Sequence, residues 1–266
     1  MSTMELLQII KERRSVRTFD GKPLSPEHLE KLNAFMQTIQ NPYTIPVTFR
    51  ILEKEQHGLS SPVISGESHY IAAKVKVIPH SEEAFGYSME QLVLYAWSLG
   101  IGTTWIGGTI KRSMFEQAIE LKTGERMYCV SPLGYPAKKM SLKETAMRTA
   151  VKADKRRPAE ELFFRTDFSS PLGQCEDTVQ NALEAVRLAP SAVNQQPWRI
   201  VRCGNAFHFY EKHSKGYASE QNGDMQKIDM GIALYHFMGI MGGALSLANP
   251  GFSAPSGTEY IATVMP

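Results

Sequence analysis

The sequence is poor in cysteine, with only Cys129, Cys175 and Cys203 among its 266 residues. The three residues lie far apart, form no Cys-x-x-Cys pair, and are odd in number, so they cannot all be joined in disulfide bonds within one chain. The pattern does not indicate a disulfide framework. We expect three free thiols, as is usual for proteins of the reducing cytoplasm.

Excess charge and long apolar runs are also missing. The formal net charge is only +2, and the basic clusters at 11–14 and 155–157 are smaller than the face that nucleic-acid binding usually needs. The longest apolar stretch, near Ile232–Leu247, contains His236 and several glycines and is shorter than a usual membrane span. The N-terminus is amphipathic and mixed in charge, unlike a signal peptide. These features predict a cytoplasmic protein that binds neither nucleic acid nor membranes.

Signatures of common catalytic sites are absent too. The sequence has no His-Glu-x-x-His motif and no Gly-x-Ser-x-Gly motif. Gly100-Ile-Gly102 lacks the full Gly-x-Gly-x-x-Gly spacing and follows a predicted helix instead of a strand, which argues against a Rossmann dinucleotide loop. The seven histidines show no metal-ligand spacing, so we expect no metal site.

Helix and strand signals run along the whole chain. Ser2 and Glu5 form a capping-box pattern that opens a helix, and Ser25-Pro26 marks the start of a second helix with apolar residues on one face. Further elements are predicted in chain order: strands at 47–52 and 70–79, helices at 88–99 and 111–122, a strand at 127–133, a helix at 176–188, and a strand at 198–201. The charged segment 138–157 has few large apolar residues, which indicates a connector across the surface.

The pattern of the first part of the chain recurs in the second. Four pairs of segments match in the same order: Pro23-Leu24 with Pro171-Leu172, Arg50 with Arg199, Leu92–Tyr95 with Ile232–Tyr235, and the strand near Tyr128 with the one at Tyr260. Their offsets, 140 to 149 residues for the first three pairs, indicate an internal duplication. We expect an α+β protein of two related halves, 1–158 and 159–266. The halves should pack as one globular pseudo-dimer with mixed or antiparallel sheets flanked by helices.

The two halves differ in their polar loops. The first half carries Arg13-Arg14-Ser15-Val16-Arg17, and its counterpart, Leu162–Arg165, lacks the leading arginines and the serine. The second half carries Pro190-Ser191-Ala192-Val193-Asn194-Gln195-Gln196-Pro197-Trp198, and its counterpart, Asn41–Pro46, lacks the serine-asparagine pattern. A symmetric dimer would build two sites from both loops, so this chain is predicted to keep one composite site.

Each loop has a chemistry of its own. Three arginines and a serine can form several charge-assisted hydrogen bonds to a phosphate, and residues 13, 15 and 17 point the same way if the segment is extended. The hydroxyl and amide groups of the second loop can bond the edge of a heteroaromatic ring. Taken alone, the first loop is also consistent with a solvated basic turn after a helix, and the second with a polar turn beside a buried Trp198.

Together these segments resemble the signatures of the nitroreductase family. The resemblance rests on the two loops, on Gly100–Gly108, on Gly134-Tyr135-Pro136 and on the segment 156–161, and it spans nearly the whole chain. It is strongest to the fused, two-half branch named "Putative TM nitroreductase". The resemblance implies a nitroreductase-like fold with FMN between two subunits, which here are the two halves of one chain.

The resemblance also implies a role for each matching residue. Arg13, Arg14, Ser15 and Arg17 match the segment that grips the flavin phosphate and ribityl chain, and Arg156, with Lys155, matches the basic residues that complete the phosphate clamp. Pro190, Ser191 and Asn194 match the loop that reaches the flavin from the partner subunit, and Gly107 and Gly108 match the backbone near the isoalloxazine ring. Some relatives have an acidic residue where Gly107 stands, so its contact would be through the backbone alone.

The activity implied by the resemblance is hydride transfer from NADH or NADPH, through FMN, to a small-molecule acceptor such as a nitroaromatic or a quinone. The cofactor carries this chemistry, so no catalytic side chain is expected. Two alternatives remain open: a flavin enzyme of different chemistry, such as reductive dehalogenation or flavin breakdown, and a non-enzymatic flavin-binding protein. Because fusion of the halves removes the usual need to dimerise, we expect a monomer or a weak homo-oligomer.

Overall fold

The computed structural model describes residues 2–220 and 222–266. In chain order its helices are α1 (Thr3–Glu12), α2 (Pro26–Met36), α3 (Lys54–His57), α4 (Ser81–Ser98), α5 (Arg112–Ala118), α6 (Leu142–Ala150), α7 (Asp177–Leu188) and α8 (Met225–Met241). Its strands are β1 (Val47–Glu53), β2 (His69–Lys76), β3 (Glu125–Arg126), β4 (Val130–Leu133), β5 (Phe163–Arg165), β6 (Trp198–Cys203), β7 (Ala206–Lys212), β8 (Ala218–Ser219), β9 (Gly223–Asp224), β10 (Ala244–Ser246) and β11 (Thr258–Met265).

The chain divides into two compact units. Unit I comprises Glu12–Ser81 and Ser88–Ala153, and unit II comprises Met1–Lys11, Glu82–Tyr87 and Asp154–Pro266. The break after residue 153 lies close to the predicted boundary at 158. Two segments of the predicted first half, 1–11 and 82–87, nevertheless belong to unit II.

The sheet of unit I is antiparallel and centred on β2. This strand pairs with β1 on one side and with β3 and β4 on the other, as in Ile51 opposite Ile71 and Ile71 opposite Ser131. Residues 69–75 of β2 are all buried, which is expected for a central strand covered on both faces. Around it lies a core of aromatic and aliphatic side chains: Leu52, Leu59, Tyr70, Ala72, Ile106, Phe115, Ala118, Ile119, Met127 and Val130.

The main sheet of unit II has the strand order β10-β11-β7-β6-β5. Strand β5 runs parallel to β6, and the other neighbours are antiparallel, so the sheet is mixed as expected. Phe207 and Phe209 of β7 each lie within 5.3 Å, ring centre to ring centre, of Phe237 on α8. These aromatic contacts pack α8 against the sheet and stabilise its position.

The same order of elements occurs once in each unit. Unit I runs α2, β1, β2, α4, β4, with β2 between its two partner strands, and unit II runs α7, β6, β7, α8, β11, with β7 in that position. Two of the matched sequence pairs lie in equivalent elements: Arg50 and Arg199 in β1 and β6, and the segments at 92–95 and 232–235 in α4 and α8. In the last pair, Tyr128 lies just before β4 and Tyr260 lies in β11. The predicted α+β class is confirmed.

Two predicted helix starts are confirmed by their caps. Ser2 Oγ accepts from Glu5 N at 3.3 Å while Glu5 Oε2 accepts from Ser2 N at 2.7 Å, which is a reciprocal capping box before α1. Ser25 Oγ accepts from His28 N at 3.2 Å, and Pro26 is the first residue of α2. Each cap satisfies backbone donors that the first turn of a helix cannot pair internally.

Helix α4 begins at Ser81, seven residues before the predicted start at 88. The prediction was wrong because Gly86 breaks the amphipathic pattern, and this glycine has a packing reason. A Cβ at Gly86 would lie 2.1 Å from the carbonyl oxygen of Ile228, and a Cβ at Gly231 would lie 2.0 Å from that of Glu83. The first turns of α4 and helix α8 therefore touch backbone to backbone through two glycines, within unit II.

The predicted surface connector contains a helix that the composition did not indicate. Helix α6 is capped by Ser141, whose Oγ accepts from Glu144 N at 3.1 Å. The start of this helix is also joined to the loop after α1, because Thr18 Oγ1 donates to Ser141 Oγ at 3.0 Å. The charged composition of this segment does not indicate a helix, but the Ser-x-x-Glu spacing of residues 141–144 is a capping-box signal for a helix start.

The three cysteines are free thiols, as expected. Within the part of the chain that the structure describes, no helix has the length and apolar character needed to cross a membrane.

Candidate functional site

A cluster of four arginines lies in unit I. Arg13, Arg14 and Arg17 come from the loop after α1, and Arg148 comes from α6. The positive charge of Arg148 acts on both Arg13 and Arg17, and Arg14 Nη1 lies 3.6 Å from Glu144 Oε1, one turn before Arg148. We call these four residues the arginine cluster.

The backbone of the Arg13–Arg17 loop is held in an extended form from both sides. Val16 N donates to Thr103 O at 2.9 Å, and Ser65 N donates to Arg17 O at 3.0 Å. Val16 is fully buried, and its side chain occupies the space where a Cβ on Gly102 would be, 2.9 Å away. Alternation along the extended chain then directs Ser15 and Arg17 to the opposite side from Val16.

Two buried carboxylates, Glu90 and Glu144, lie among the positive charges of the arginine cluster. Glu90 acts on Arg13, and Glu144 acts on Arg14 and Arg17. Burial lowers the pKa of Arg13 and of Arg17, since a buried charge loses its hydration; Arg148 lowers both further, against the opposing carboxylates.

Two donors of the arginine cluster have no hydrogen-bond acceptor among the residues that the structure describes. Arg13 Nη1 and Arg14 Nη1 are buried, yet neither forms a hydrogen bond with any described residue. A buried donor without an acceptor costs on the order of 1–3 kcal/mol, more when it is charged. A phosphate group carries about −1.5 to −2 charges and three acceptor oxygens, so it matches both the charge and the unused donors.

The two predicted glycines lie in the same unit as the arginine cluster. Gly107 and Gly108 belong to an exposed turn before α5, and Arg112 Nη2 donates to Gly107 O at 3.1 Å. A Cβ at Gly108 would meet nothing within 4 Å, so this backbone is open to a ligand. Trp105 Nε1 donates to Glu90 Oε2 at 3.0 Å, which links this turn to the carboxylate that faces Arg13.

The second predicted loop, in unit II, has an unusual backbone. Val193, Asn194 and Gln196 all have φ between 49° and 58°, a left-handed conformation that non-glycine residues rarely adopt. The loop is held in this form by side chains, because Gln196 N donates to Ser191 Oγ at 2.9 Å and Ala192 N donates to Asp229 Oδ1 at 3.0 Å. Such strain persists only where the surroundings fix it, and it is frequent at ligand sites.

The structure brings this loop together with the predicted basic residues. Asn194 Nδ2 donates to Lys155 O at 2.9 Å, and Arg156 Nη1 lies 3.5 Å from Asn194 Oδ1. Gln196 Oε1 accepts from Arg157 N at 2.8 Å. Lys155 contributes its backbone to this contact, and its side chain is exposed. Pro190 and Ser191 lie in the same loop, half-buried.

Arg148 and Asp229, which act on the two loops from helices, were not predicted. Arg148 lies four residues after Glu144 on α6, a spacing that places both on one helix face. Asp229 lies on α8, far from the loop in sequence, and no local pattern indicates its contact with Ala192. Burial raises the pKa of Asp229 well above its ordinary value, the carboxylates of Glu211 and Asp224 raise it further, and the Ala192 N–H group opposes them.

Residues 5–240 of the chain match a family described as "Putative TM nitroreductase". The match covers most of the sequence, and the chain therefore belongs to this nitroreductase family. A comparison with curated proteins found no match.

One solved structure that aligns over the full chain confirms the nitroreductase-like fold. A structure described as a putative nitroreductase from Thermotoga maritima MSB8 aligns with a TM-score of 0.62 and 20% sequence identity, over 100% of this chain and 94% of its own. An FMN-dependent nitroreductase from Clostridium difficile R20291 aligns with 52% of this chain and 92% of its own, at a TM-score of 0.42 and 14% identity. A nitroreductase-like family protein from Bacillus cereus aligns with 59% of this chain and 92% of its own, at a TM-score of 0.44 and 21% identity.

Proposed function

We propose that this protein is an FMN-dependent oxidoreductase that takes hydride from NADH or NADPH and reduces a small-molecule acceptor, such as a nitroaromatic or a quinone. The observation that carries the proposal is the arginine cluster, in which Arg13 Nη1 and Arg14 Nη1 are buried without a hydrogen bond to any described residue. Its guanidinium groups are opposite in charge to a phosphate. Membership of the nitroreductase family supports the same cofactor.

The arginine cluster would hold the phosphate end of FMN. Arg13, Arg14 and Arg17 supply guanidinium forks that suit phosphate oxygens, and Ser15 supplies a hydroxyl between them. Arg148 is proposed as a fourth phosphate residue, since its charge already acts on Arg13 and Arg17. The loop hydrogen bonds to Thr103 and Ser65 fix these groups before the ligand arrives, so little order has to be gained on binding.

The residues predicted from the second loop are proposed as further flavin contacts. Ser191, Asn194 and the adjoining Pro190 lie in one loop, in which Asn194 has a left-handed backbone. Hydrogen bonds from Gln196 N to Ser191 and from Ala192 N to Asp229 hold this loop. Arg156 and Lys155 lie against the same loop and add a second source of positive charge. Gly107 and Gly108 are proposed to contact the flavin through open backbone.

FMN, when bound, supplies the hydride-accepting and hydride-donating chemistry of the reaction. The contribution of the chain is therefore binding and orientation. The arginines neutralise the phosphate, and the rigid loop at 190–196 presents hydroxyl and amide groups that can orient a polar ring. No side chain of the chain has to act as a nucleophile or general base in this scheme.

We also propose that the chain arose by internal duplication and keeps one flavin. The recurrence of helix, two strands, helix and strand in each unit supports the duplication. The loss of the leading arginines at 162–165, and of the serine-asparagine pattern at 41–46, supports a single flavin. Flavin released from the saturated protein should amount to about one FMN per chain. Two per chain would contradict the assignment.

The experiment that tests the proposed function uses the purified protein loaded with FMN. NADH or NADPH is added without oxygen, and the visible flavin absorbance is followed; each candidate acceptor is then added and its product is identified. Bleaching by the nicotinamide and recovery with an acceptor are expected. Flavin that binds but does not bleach would instead identify a non-enzymatic flavin-binding protein, and a dehalogenated product or a broken flavin would identify a different flavin chemistry.

A further inference from the structure

Three potential metal ligands of unit II converge where β7 ends and α8 begins. Glu211 is in β7, His213 follows that strand, and Asp224 is the residue before α8. One ligand atom from each residue lies within 4.8 Å of the other two. The cluster was not predicted because Asp224 is eleven residues after His213, and only the strand-to-helix return brings it close.

Backbone hydrogen bonds fix the positions of these residues. His213 N donates to Gly257 O at 2.9 Å, and Ser214 N donates to Gln226 Oε1 at 2.6 Å, which ties the end of β7 to the first turn of α8. Asp224 caps that helix, since its Oδ1 accepts from Gln226 N at 2.9 Å. The cap uses Oδ1, so Oδ2 can serve as a ligand.

Glu211 provides independent evidence for a cation. Its side chain is 0% exposed, and neither carboxylate oxygen accepts a hydrogen bond from any residue that the structure describes. His213 Nδ1 lies 2.6 Å from Glu211 Oε1, yet the pair does not have hydrogen-bond geometry. A cation bound among the three side chains would give both oxygens of this buried carboxylate a partner.

Glu259 holds the histidine in the orientation that metal binding needs. His213 Nε2 lies 3.1 Å from Glu259 Oε2, which favours the tautomer with hydrogen on Nε2 and a lone pair on Nδ1, facing Glu211. A carboxylate that accepts from the far nitrogen of a ligating histidine is the usual support of such a ligand. Lys227 Nζ, the nearby cation, lies 3.1 Å from Glu259 Oε1.

We propose that Glu211, His213 and Asp224 bind a divalent transition-metal ion, with Glu259 as the positioning residue of His213. One imidazole and two carboxylates suit Zn²⁺ or Mn²⁺, and three protein ligands leave a position for water. An ion can enter from solvent, because 39% of the His213 side chain is exposed. The ion would join the end of β7 to the start of α8, a structural role that does not depend on flavin.

The test is equilibrium dialysis of the full-length, chelator-treated protein against Zn²⁺, and separately against Mn²⁺, with bound metal measured by mass spectrometry. We expect about one ion per chain and a rise in melting temperature on metal addition. Glu211→Gln and His213→Asn should lose this ion, and Glu259→Gln should weaken binding about 10- to 100-fold. Glu176→Gln, which removes an exposed carboxylate of the same unit, and His57→Asn should bind as the wild type does.

Two results would overturn the proposal. The first is wild-type protein that takes up neither ion, at concentrations where a reference peptide with one histidine and two carboxylates does. The second is equal uptake by wild type, Glu211→Gln and His213→Asn, which would identify adventitious surface binding. Glutamine is close in shape to glutamate, so Glu211→Gln should fold; if it does not, the half-exposed His213→Asn decides alone. The wild-type measurement does not involve FMN, so its result is separate from that of the flavin assignment.

Discussion

Replacement of Arg13 by alanine should weaken FMN binding through the phosphate and not through the ring. Arg13 belongs to the arginine cluster, and its buried Nη1 lacks an acceptor within the described chain. A hydrogen bond to a charged group contributes about 1.5–3 kcal/mol, and each 1.4 kcal/mol is a factor of ten in affinity. The variant should therefore bind FMN about 10- to 100-fold more weakly.

Riboflavin separates this role from a purely structural one, because it has the same ring and ribityl chain but no phosphate. Both ligands are titrated into wild type and Arg13→Ala, and the quenching of flavin fluorescence is measured. We expect a large loss for FMN and little change for riboflavin. Arg13→Lys should be intermediate, since it keeps the charge and loses the planar fork.

A matched control is Arg50→Ala, which removes an arginine of the same unit that is paired with Glu120 and lies outside the arginine cluster. It should bind FMN as the wild type does. The reasoning is refuted if Arg13→Ala binds FMN with wild-type affinity. It is also refuted if the variant loses affinity for FMN and riboflavin by the same factor, because the phosphate would then not be the group that Arg13 recognises.

Three further predictions concern residues that support the fold and the site. Arg148→Ala should lower FMN affinity about tenfold or more and leave riboflavin affinity unchanged, and an equal loss for both ligands would show that α6 only packs against the loop. Gly86→Ala should lower the free energy of unfolding, measured in urea, by about 1–3 kcal/mol or more, because the added Cβ would lie 2.1 Å from Ile228 O. Gly108→Ala is the control; its Cβ meets nothing within 4 Å, so little stability should be lost. Asp229→Asn should change the melting temperature little near pH 4, and at higher pH the variant should melt above the wild type by a margin that grows with pH. The raised pKa of Asp229 makes wild-type stability fall as pH rises above the ordinary range of a carboxyl group, whereas asparagine does not titrate. A gap between the two melting temperatures that stays constant with pH would contradict the assigned direction.

Local signals in the sequence were enough for much of the fold. The caps at Ser2 and Ser25 are satisfied by contacts within four residues, so spacing alone reveals them. Strand β7 was not predicted, although Gly204-Asn205 after β6 is a two-residue hairpin signal and Gly204 has φ of 60°. The start of α4 needed non-local information, because Gly86 is explained only by the backbone of Ile228.

The residues of the candidate site likewise fall into those that local sequence shows and those that only the fold brings together. The loops at 13–17 and 190–198 stand out because each concentrates polar groups in one short segment. Arg148 and Asp229 do not, since each lies on a helix remote in sequence from the loop it acts on. The ligands Glu211, His213 and Asp224 are brought together by chain reversal between β7 and α8, which no spacing rule for short motifs covers.

The most direct test of the central claim is the visible spectrum of the FMN-loaded protein before and after NADH or NADPH is added without oxygen. The FMN-dependent oxidoreductase proposed here should retain flavin, and the reduced nicotinamide should bleach its absorbance. Protein that neither retains nor takes up FMN, at concentrations where the arginine cluster should be saturated, would contradict the assignment of FMN as its cofactor.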